Sequence, residues 1–181
     1  KVDKIVMVTN HVENGNLKCD QYYPKELNES QKYDNILVTL EGETIELYGK
    51  KRIFKIINNV SGEDRQITHY LYEKWPDHGI PKKDNGEVDT ELFSNFVVNI
   101  DSDNTENPIL VHCSAGVGRT GTFIISHLLY NHLENIIEEV ELSKKVLDLI
   151  KYMRKYRSDM VQTEEQFNFI SKAVLKMMEK K

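Results

Sequence analysis

One short stretch of the chain, residues 108–123, combines a cysteine, an arginine and three glycines at close spacing. Cys113 follows a run of apolar residues, and Arg119 comes six residues later. A cysteine attacks as its thiolate, and a surrounding ring of donors lowers the thiol pKa from about 8.5 to roughly 3.5–7.5. An arginine makes a bidentate, charge-assisted pair with phosphate oxygens. The stretch therefore predicts a nucleophile that lies beside a bound phosphoryl group.

Three elements must position these residues. The apolar run 109–111, bounded by Pro108, is typical of a fully buried strand, and the apolar residues from 123 to 133 predict a helix. Between them, Gly116 and Gly118 let the backbone approach a ligand closely. A strand, a loop of small residues and a helix together aim backbone N–H groups at an anion. Thr120 can donate its hydroxyl to the cysteine sulfur and stabilise it as a leaving group.

A lone cysteine is more often a small buried hydrophobe than a nucleophile. Here the arginine and the glycines at their spacing reverse that preference. The pattern His-Cys-x-x-x-x-x-Arg-Thr-Gly at residues 112–121 resembles the signature of Cys-based protein tyrosine phosphatases. The resemblance implies that Cys113 is the nucleophile and that Arg119 and the loop bind the phosphoryl group. It also implies that Ser114, Ala115, Gly116, Val117 and Gly118 bind the substrate. His112 and Thr120 are implied to support the loop.

A second motif, Trp-Pro-Asp at residues 75–77, precedes the cysteine. Prolines and a glycine around it exclude regular structure, so on its own it is equally consistent with a surface turn. A carboxylic acid on a mobile loop suits a reaction whose leaving oxygen must be protonated. The segment resembles the Trp-Pro-Asp loop of the same family, and this implies that Asp77 is the general acid.

Two further segments carry the resemblance. Residues 13–24 resemble the family's Glu-x-Gly-x-x-Lys-Cys-x-x-Tyr-Trp-Pro segment, with Tyr23 in place of the tryptophan. This implies that Glu13 braces Arg119 and that Lys18 lies near the general-acid loop. The alternative for this segment is a solvated turn.

Residues 162–167 resemble the family's Gln-Thr-x-x-Gln loop. The resemblance implies that Gln162 positions the hydrolytic water and that Gln166 binds substrate beside it. It also places Arg154 and Arg157 behind the phosphate loop. The same residues fit a helix capping box formed by Thr163 and Gln166, and both interpretations can hold. This loop and the Trp-Pro-Asp loop together favour the tyrosine-specific branch of the family.

Composition limits the alternatives. The chain has 181 residues, 39% hydrophobic and 29% charged, which is ordinary for one globular domain. A net charge of −5 gives no basic patch for nucleic acid or an anionic membrane. We expect no membrane span, no signal peptide, two free cysteines and a cytoplasmic protein. The implied covalent mechanism needs no metal and no cofactor.

The predicted fold class is α/β, a twisted mixed sheet flanked by helices on both faces. Short turns between the strands from 35 to 73 favour antiparallel pairing there. The predicted strands are 4–9, 35–40, 44–48, 52–57, 64–73 and 109–111. The predicted helices are 88–100, 122–134, a third from either 139 or 142 to 156, and 167–180. Asp89 or Thr90 is expected to cap the first helix.

Domains of this family extend upstream of Lys4, so the resemblance implies that residues 1–181 form a single catalytic domain lacking the N-terminal portion. That portion normally carries a tyrosine that stacks on the phosphotyrosine ring. The expected function is hydrolysis of phosphotyrosine in proteins through a cysteinyl-phosphate intermediate. The alternative is a phosphotyrosine-binding or substrate-trapping module with little turnover.

Overall fold

The computed structural model describes residues 1–76, 79–103, 107–135 and 138–181. Its strands are β1 (Lys4–Met7), β2 (Val12–Glu13), β3 (Asn16–Leu17), β4 (Ser30–Tyr33), β5 (Ile36–Glu46), β6 (Gly49–Asn58), β7 (Asp64–Tyr72) and β8 (Ile109–His112). Its helices are α1 (Thr90–Ser102), α2 (Gly118–His132), α3 (Glu139–Met153) and α4 (Glu164–Met178). Six strands form one sheet in the order β4-β5-β6-β7-β1-β8, and β2 and β3 form a separate hairpin.

The sheet is mixed, which confirms the predicted α/β class. Strands β4 to β7 pair antiparallel, whereas β1 lies parallel to both β7 and β8. Met7 at the end of β1 is aligned with Leu71 of β7 and with His112 of β8. The carboxyl ends of these three strands therefore meet at one edge of the sheet, where ligands bind in open α/β folds. The segments that carry Glu13, Trp75 and Cys113 all follow strands that end at this edge.

Two strand predictions were wrong. Residues 35–48 were expected to form two strands separated by Gly42, but β5 runs through this glycine with a register shift between Leu40 and Gly42. The shift is a bulge that absorbs one residue without ending the ladder. The run 109–111 was expected to be fully buried, yet β8 lies at the edge of the described sheet and Leu110 is 45% exposed. A short apolar run does not reveal how many neighbours its strand has.

The sheet buries two separate apolar layers. On one face, Val6 and Tyr70 pack with buried residues of all four helices. On the other face, Met7 and Leu71 pack with Phe54 and with Tyr23 of the segment before β4, and none of the described helical residues belongs to this layer. For the residues that the structure describes, the four helices pack into the layer on the first face. A coil segment, rather than a helix, covers the second face.

Gly49 begins β6 at a place where only glycine fits. Its φ is +147°, and a Cβ there would lie 2.3 Å from the carbonyl oxygen of Leu71. We expect Gly49→Ala to destabilise the fold because the neighbouring strand must move. Gly62 is the matched control, because its φ is +71° but nothing lies within 4 Å of its Cβ position.

For Gly62→Ala we expect a loss of about 1 kcal/mol from the left-handed backbone alone. Gly49→Ala should lose at least about 1 kcal/mol more, the usual cost of an added buried methyl group without space. Urea unfolding of both variants measures the difference. Equal losses would show that the backbone clash at Gly49 is absent.

Candidate active site

Cys113 lies directly after β8, at the edge where the three strands end. Its side chain is 6% exposed, and its Sγ accepts hydrogen bonds from the Gly116 backbone N–H (3.2 Å) and the Thr120 hydroxyl (3.1 Å). Gly116 has a φ of +70°, which bends the loop around the sulfur. Helix α2 begins at Gly118, earlier than predicted, so its first turn contributes the donors of Thr120. The sulfur thus lies at the N-terminus of a helix.

Two opposing effects act on the Cys113 thiol. Burial is the largest single effect and raises its pKa. The Thr120 hydroxyl and the backbone N–H groups of Thr120, Gly116 and Val117 together lower the pKa by more. The net pKa therefore lies below the ordinary value for cysteine, which favours the nucleophilic thiolate. In contrast, burial and the Asp20 charge raise the pKa of Cys19.

Arg119 is fixed by a buried carboxylate. Its Nη1 donates to Glu13 Oε1 at 2.6 Å, and both side chains are 7% exposed. The same Oε1 accepts from the Thr9 hydroxyl at 3.1 Å and from the Asn10 backbone N–H at 3.0 Å. Glu13 therefore joins the loop after β1 to the first turn of α2.

A cavity of about 370 Å³ opens above Cys113. Its lining residues are Lys18, Cys113, Ser114, Ala115, Arg119, Gln162, Thr163 and Gln166. Gln162 is exposed at the mouth, and its Oε1 lies so close to Gly118 that a Cβ there would be 2.6 Å away. Gln166 is buried, and its Oε1 accepts from the Gln162 backbone N–H at 2.9 Å. The Thr163 hydroxyl accepts from the Gln166 N–H, so the N-cap half of the predicted capping box forms, while the Gln166 side chain accepts from Gln162.

Cys113, Arg119, Gln162, Gln166, Ser114, Ala115 and Lys18 were predicted from the sequence and line this cavity. The other described site residues, Glu13, His112, Gly116, Val117, Gly118 and Thr120, are not among its lining residues. The carbonyl oxygen of Val117 accepts from Gly121 and Val161 behind the loop. The His112 ring also lies behind the loop, where its Nδ1 is 3.2 Å from the carbonyl oxygen of Cys113. Asp77 lies outside the described residues. Near it, Trp75 is buried and its indole N–H donates to the carbonyl oxygen of Gly79 at 2.9 Å.

Tyr22 and His69 support the loop and were not predicted. The Tyr22 hydroxyl lies 2.7 Å from His112 Nε2 and 2.9 Å from His69 Nε2. Burial lowers the pKa of both histidines, so both rings are neutral at neutral pH. Since the Cys113 carbonyl only accepts, His112 carries its proton on Nδ1, Tyr22 donates to Nε2, and His69 donates to Tyr22. The two histidines lie on different strands, β7 and β8, and no local spacing links them.

Within the described ranges, no three His, Cys, Asp or Glu side chains come together as a metal site. Among the same residues, no helix has the length and apolar character that crossing a membrane requires.

Residues 1–176 match the family model described as protein-tyrosine phosphatase. The chain belongs to the protein-tyrosine phosphatase family. The match covers the cysteine loop, the Glu13 segment and the Gln162 loop, all of which meet at the cavity of this phosphatase domain.

Curated relatives agree with this membership. The domain is 34% identical over 175 residues to tyrosine-protein phosphatase non-receptor type 20 of Rattus norvegicus, covering 97% of this chain and 39% of that protein. It is 37% identical over 182 residues to tyrosine-protein phosphatase non-receptor type 4 of Mus musculus, covering 97% and 18%. It is 36% identical over 177 residues to receptor-type tyrosine-protein phosphatase eta of Gallus gallus, covering 94% and 12%. The chain spans about two-fifths or less of the length of these relatives.

The hydrogen bond from Thr120 gives a direct test of thiol activation. Thr120→Val keeps the shape of the side chain but removes the donor, so the pKa of Cys113 should rise. The rate of alkylation by iodoacetamide, followed across pH by peptide mass mapping, reports this pKa. We expect the pH profile of Cys113 to move to higher pH in the variant.

Cys19 in the same sample is the internal control, and its profile should not move. In the unchanged protein, Cys113 should be alkylated at lower pH than Cys19. Identical Cys113 profiles in the two proteins would mean that Thr120 does not stabilise the thiolate.

Proposed function

We propose that this protein hydrolyses phosphotyrosine in proteins through a cysteinyl-phosphate intermediate. The observation that carries the proposal is the position of the Cys113 sulfur. It receives hydrogen bonds from Gly116 and Thr120 and faces a cavity that Arg119 and Gln162 also line. The backbone donors that stabilise a thiolate also suit the equatorial oxygens of a phosphoryl group.

In the first step, backbone N–H groups of residues 114–118 and the Arg119 guanidinium hold the phosphoryl oxygens. The Cys113 thiolate attacks phosphorus, and the bond from phosphorus to the tyrosyl oxygen breaks. Asp77, assigned from the sequence resemblance, gives its proton to that oxygen. The products of this step are tyrosine and a phosphorylated Cys113.

In the second step, a water attacks phosphorus, and the phosphorus–sulfur bond breaks. Gln162 orients this water, and its proton passes to the Asp77 carboxylate. The thiolate leaves with the support of the Thr120 hydroxyl, which already lies 3.1 Å from the sulfur. Inorganic phosphate departs, and both Cys113 and Asp77 return to their starting states.

The presence of the nucleophile and the arginine together favours turnover over the phosphotyrosine-binding or substrate-trapping alternative. The names of the relatives, all tyrosine-protein phosphatases, support phosphotyrosine proteins as substrates. We propose a cytoplasmic location, which is supported by two unpaired cysteines and by relatives named non-receptor types.

Steady-state assays with a phosphotyrosine peptide test the proposal. Cys113→Ser should lower turnover by at least about 10³-fold while leaving peptide binding intact, because the phosphate cradle remains. Arg119→Lys should lower kcat/KM by about 10²–10³-fold, because an ammonium cannot make the bidentate pair. Phosphate release and fluorescence anisotropy measure turnover and binding.

Cys19→Ser is the matched control and should keep full activity, since this thiol lies outside the cavity. A Cys113→Ser variant that still hydrolyses the peptide would exclude Cys113 as the nucleophile. Tight peptide binding by the unchanged protein, with less than one phosphate released per molecule, would instead support the trapping alternative.

A further inference from the structure

Val161, the residue before Gln162, has an uncommon backbone conformation. Its φ is +60°, and its side chain is 3% exposed. A β-branched residue in this left-handed region is an outlier, because its side chain crowds the backbone. Asp159 has a φ of +62°, so two left-handed residues flank Met160. Such conformations persist only where the surroundings hold them in place.

Arg154 is the side chain that holds this segment. It lies at the C-terminal end of α3, and its Nε donates to the carbonyl oxygen of Met160 at 3.0 Å. Its Nη2 donates to the carbonyl oxygen of Val161 at 2.7 Å. One guanidinium thus fixes both peptide groups that flank the left-handed residue.

The other side of Val161 is fixed by the phosphate loop. The Val161 N–H donates to the carbonyl oxygen of Val117 at 3.2 Å, and this oxygen also accepts the N–H of Gly121. A Cβ at Gly121 would lie only 2.8 Å from the Val161 nitrogen. The segment is therefore pressed against the start of α2 between Arg154 and Val117.

Gln162 depends on this arrangement because it follows Val161 directly. Its backbone N–H donates to Gln166, and its Oε1 packs against Gly118. Gln162 and Cys113 line the same cavity. Relaxation of Val161 to a negative φ would rotate the following peptide and carry the Gln162 side chain away from Gly118. The direction of this side chain is thus set by the left-handed conformation.

We propose that Arg154 and Val161 are positioning residues that hold Gln162 over the phosphorylated cysteine during the second step. Arg154 holds Val161 in its costly conformation, and that conformation directs Gln162 to the water. The proposal rests on the proposed function and assigns these two residues a role in its second step. It concerns hydrolysis of the intermediate rather than formation of the intermediate.

A double-mutant cycle of Arg154→Ala and Val161→Gly tests whether Arg154 acts through the backbone conformation of Val161. Glycine adopts a φ of +60° without strain, so it should need Arg154 far less than valine does. The reaction is run with an aryl phosphate in the presence of methanol as a competing acceptor. The ratio of methyl phosphate to inorganic phosphate is set after the intermediate forms, so it does not depend on the first step and compares methanol with water as the attacking group.

With Val161 present, Arg154→Ala should lower kcat about tenfold, within the range that misplaced groups cost, and should raise the methanol ratio. In the Val161→Gly background the same change should alter either quantity less than about twofold. Arg65→Ala is the matched control, because Arg65 also donates to a backbone carbonyl, that of Val2, at a place on the sheet far from the cavity. This variant should leave kcat and the methanol ratio unchanged. Equal effects of Arg154→Ala in both backgrounds would overturn the proposal.

Amide hydrogen exchange of residues 160–163 keeps this test separate from the proposed function. Arg154→Ala should speed exchange at position 161 when valine is present, and less when glycine is present. If the unchanged protein lacks turnover, the proposed function fails. The hydrogen exchange rates of the four proteins still show whether Arg154 holds the backbone of Val161. If Arg154→Ala does not change the exchange rate at position 161, Arg154 does not hold the backbone of Val161, and the proposal is overturned.

Discussion

A buried contact between the Glu13 carboxylate and the Arg119 guanidinium connects the parts of the site. The two residues lie 106 positions apart and meet because β1 and β8 run parallel and end at the same edge. Removing one member of such a pair costs about 3–5 kcal/mol, because the other charge is left buried and uncompensated. Replacing both with apolar residues is often harmless to stability. The contact is therefore best understood as a device that fixes where Arg119 points.

The cysteine loop shows a competition between burial and hydrogen bonding. Burial alone would keep Cys113 protonated, whereas the Thr120 hydroxyl and the loop N–H groups favour the thiolate and prevail. These donors are oriented before any ligand arrives, which is the condition under which they stabilise a transition state most. The Tyr22–His112 contact behind the loop holds the Cys113 carbonyl, and so the reactive sulfur is supported from both sides.

The sequence was sufficient to predict features that depend on local chemistry. The cysteine loop, the Asp89 cap and the Thr163 cap each require a few residue types at short spacing, and the structure forms all three. Features that depend on distant partners were missed. The edge position of β8 and the contact of His69 with Tyr22 arise from pairings between segments far apart in sequence. Strand β4 pairs with the next strand, β5, but its residues Ser30–Tyr33 are mostly exposed and carry no apolar pattern. The left-handed backbone of Val161 contradicts its local preference, and only the surroundings explain it.

The central claim is that the phosphoryl group passes through the sulfur of Cys113. The most direct measurement is rapid acid quenching of the protein mixed with an aryl phosphate, followed by mass spectrometry of the peptide that contains this residue. The account predicts a phosphoryl adduct on Cys113 within the first turnover, no adduct on Cys19, and loss of the adduct as inorganic phosphate appears. Complete release of phosphate with no adduct at any quench time would contradict it.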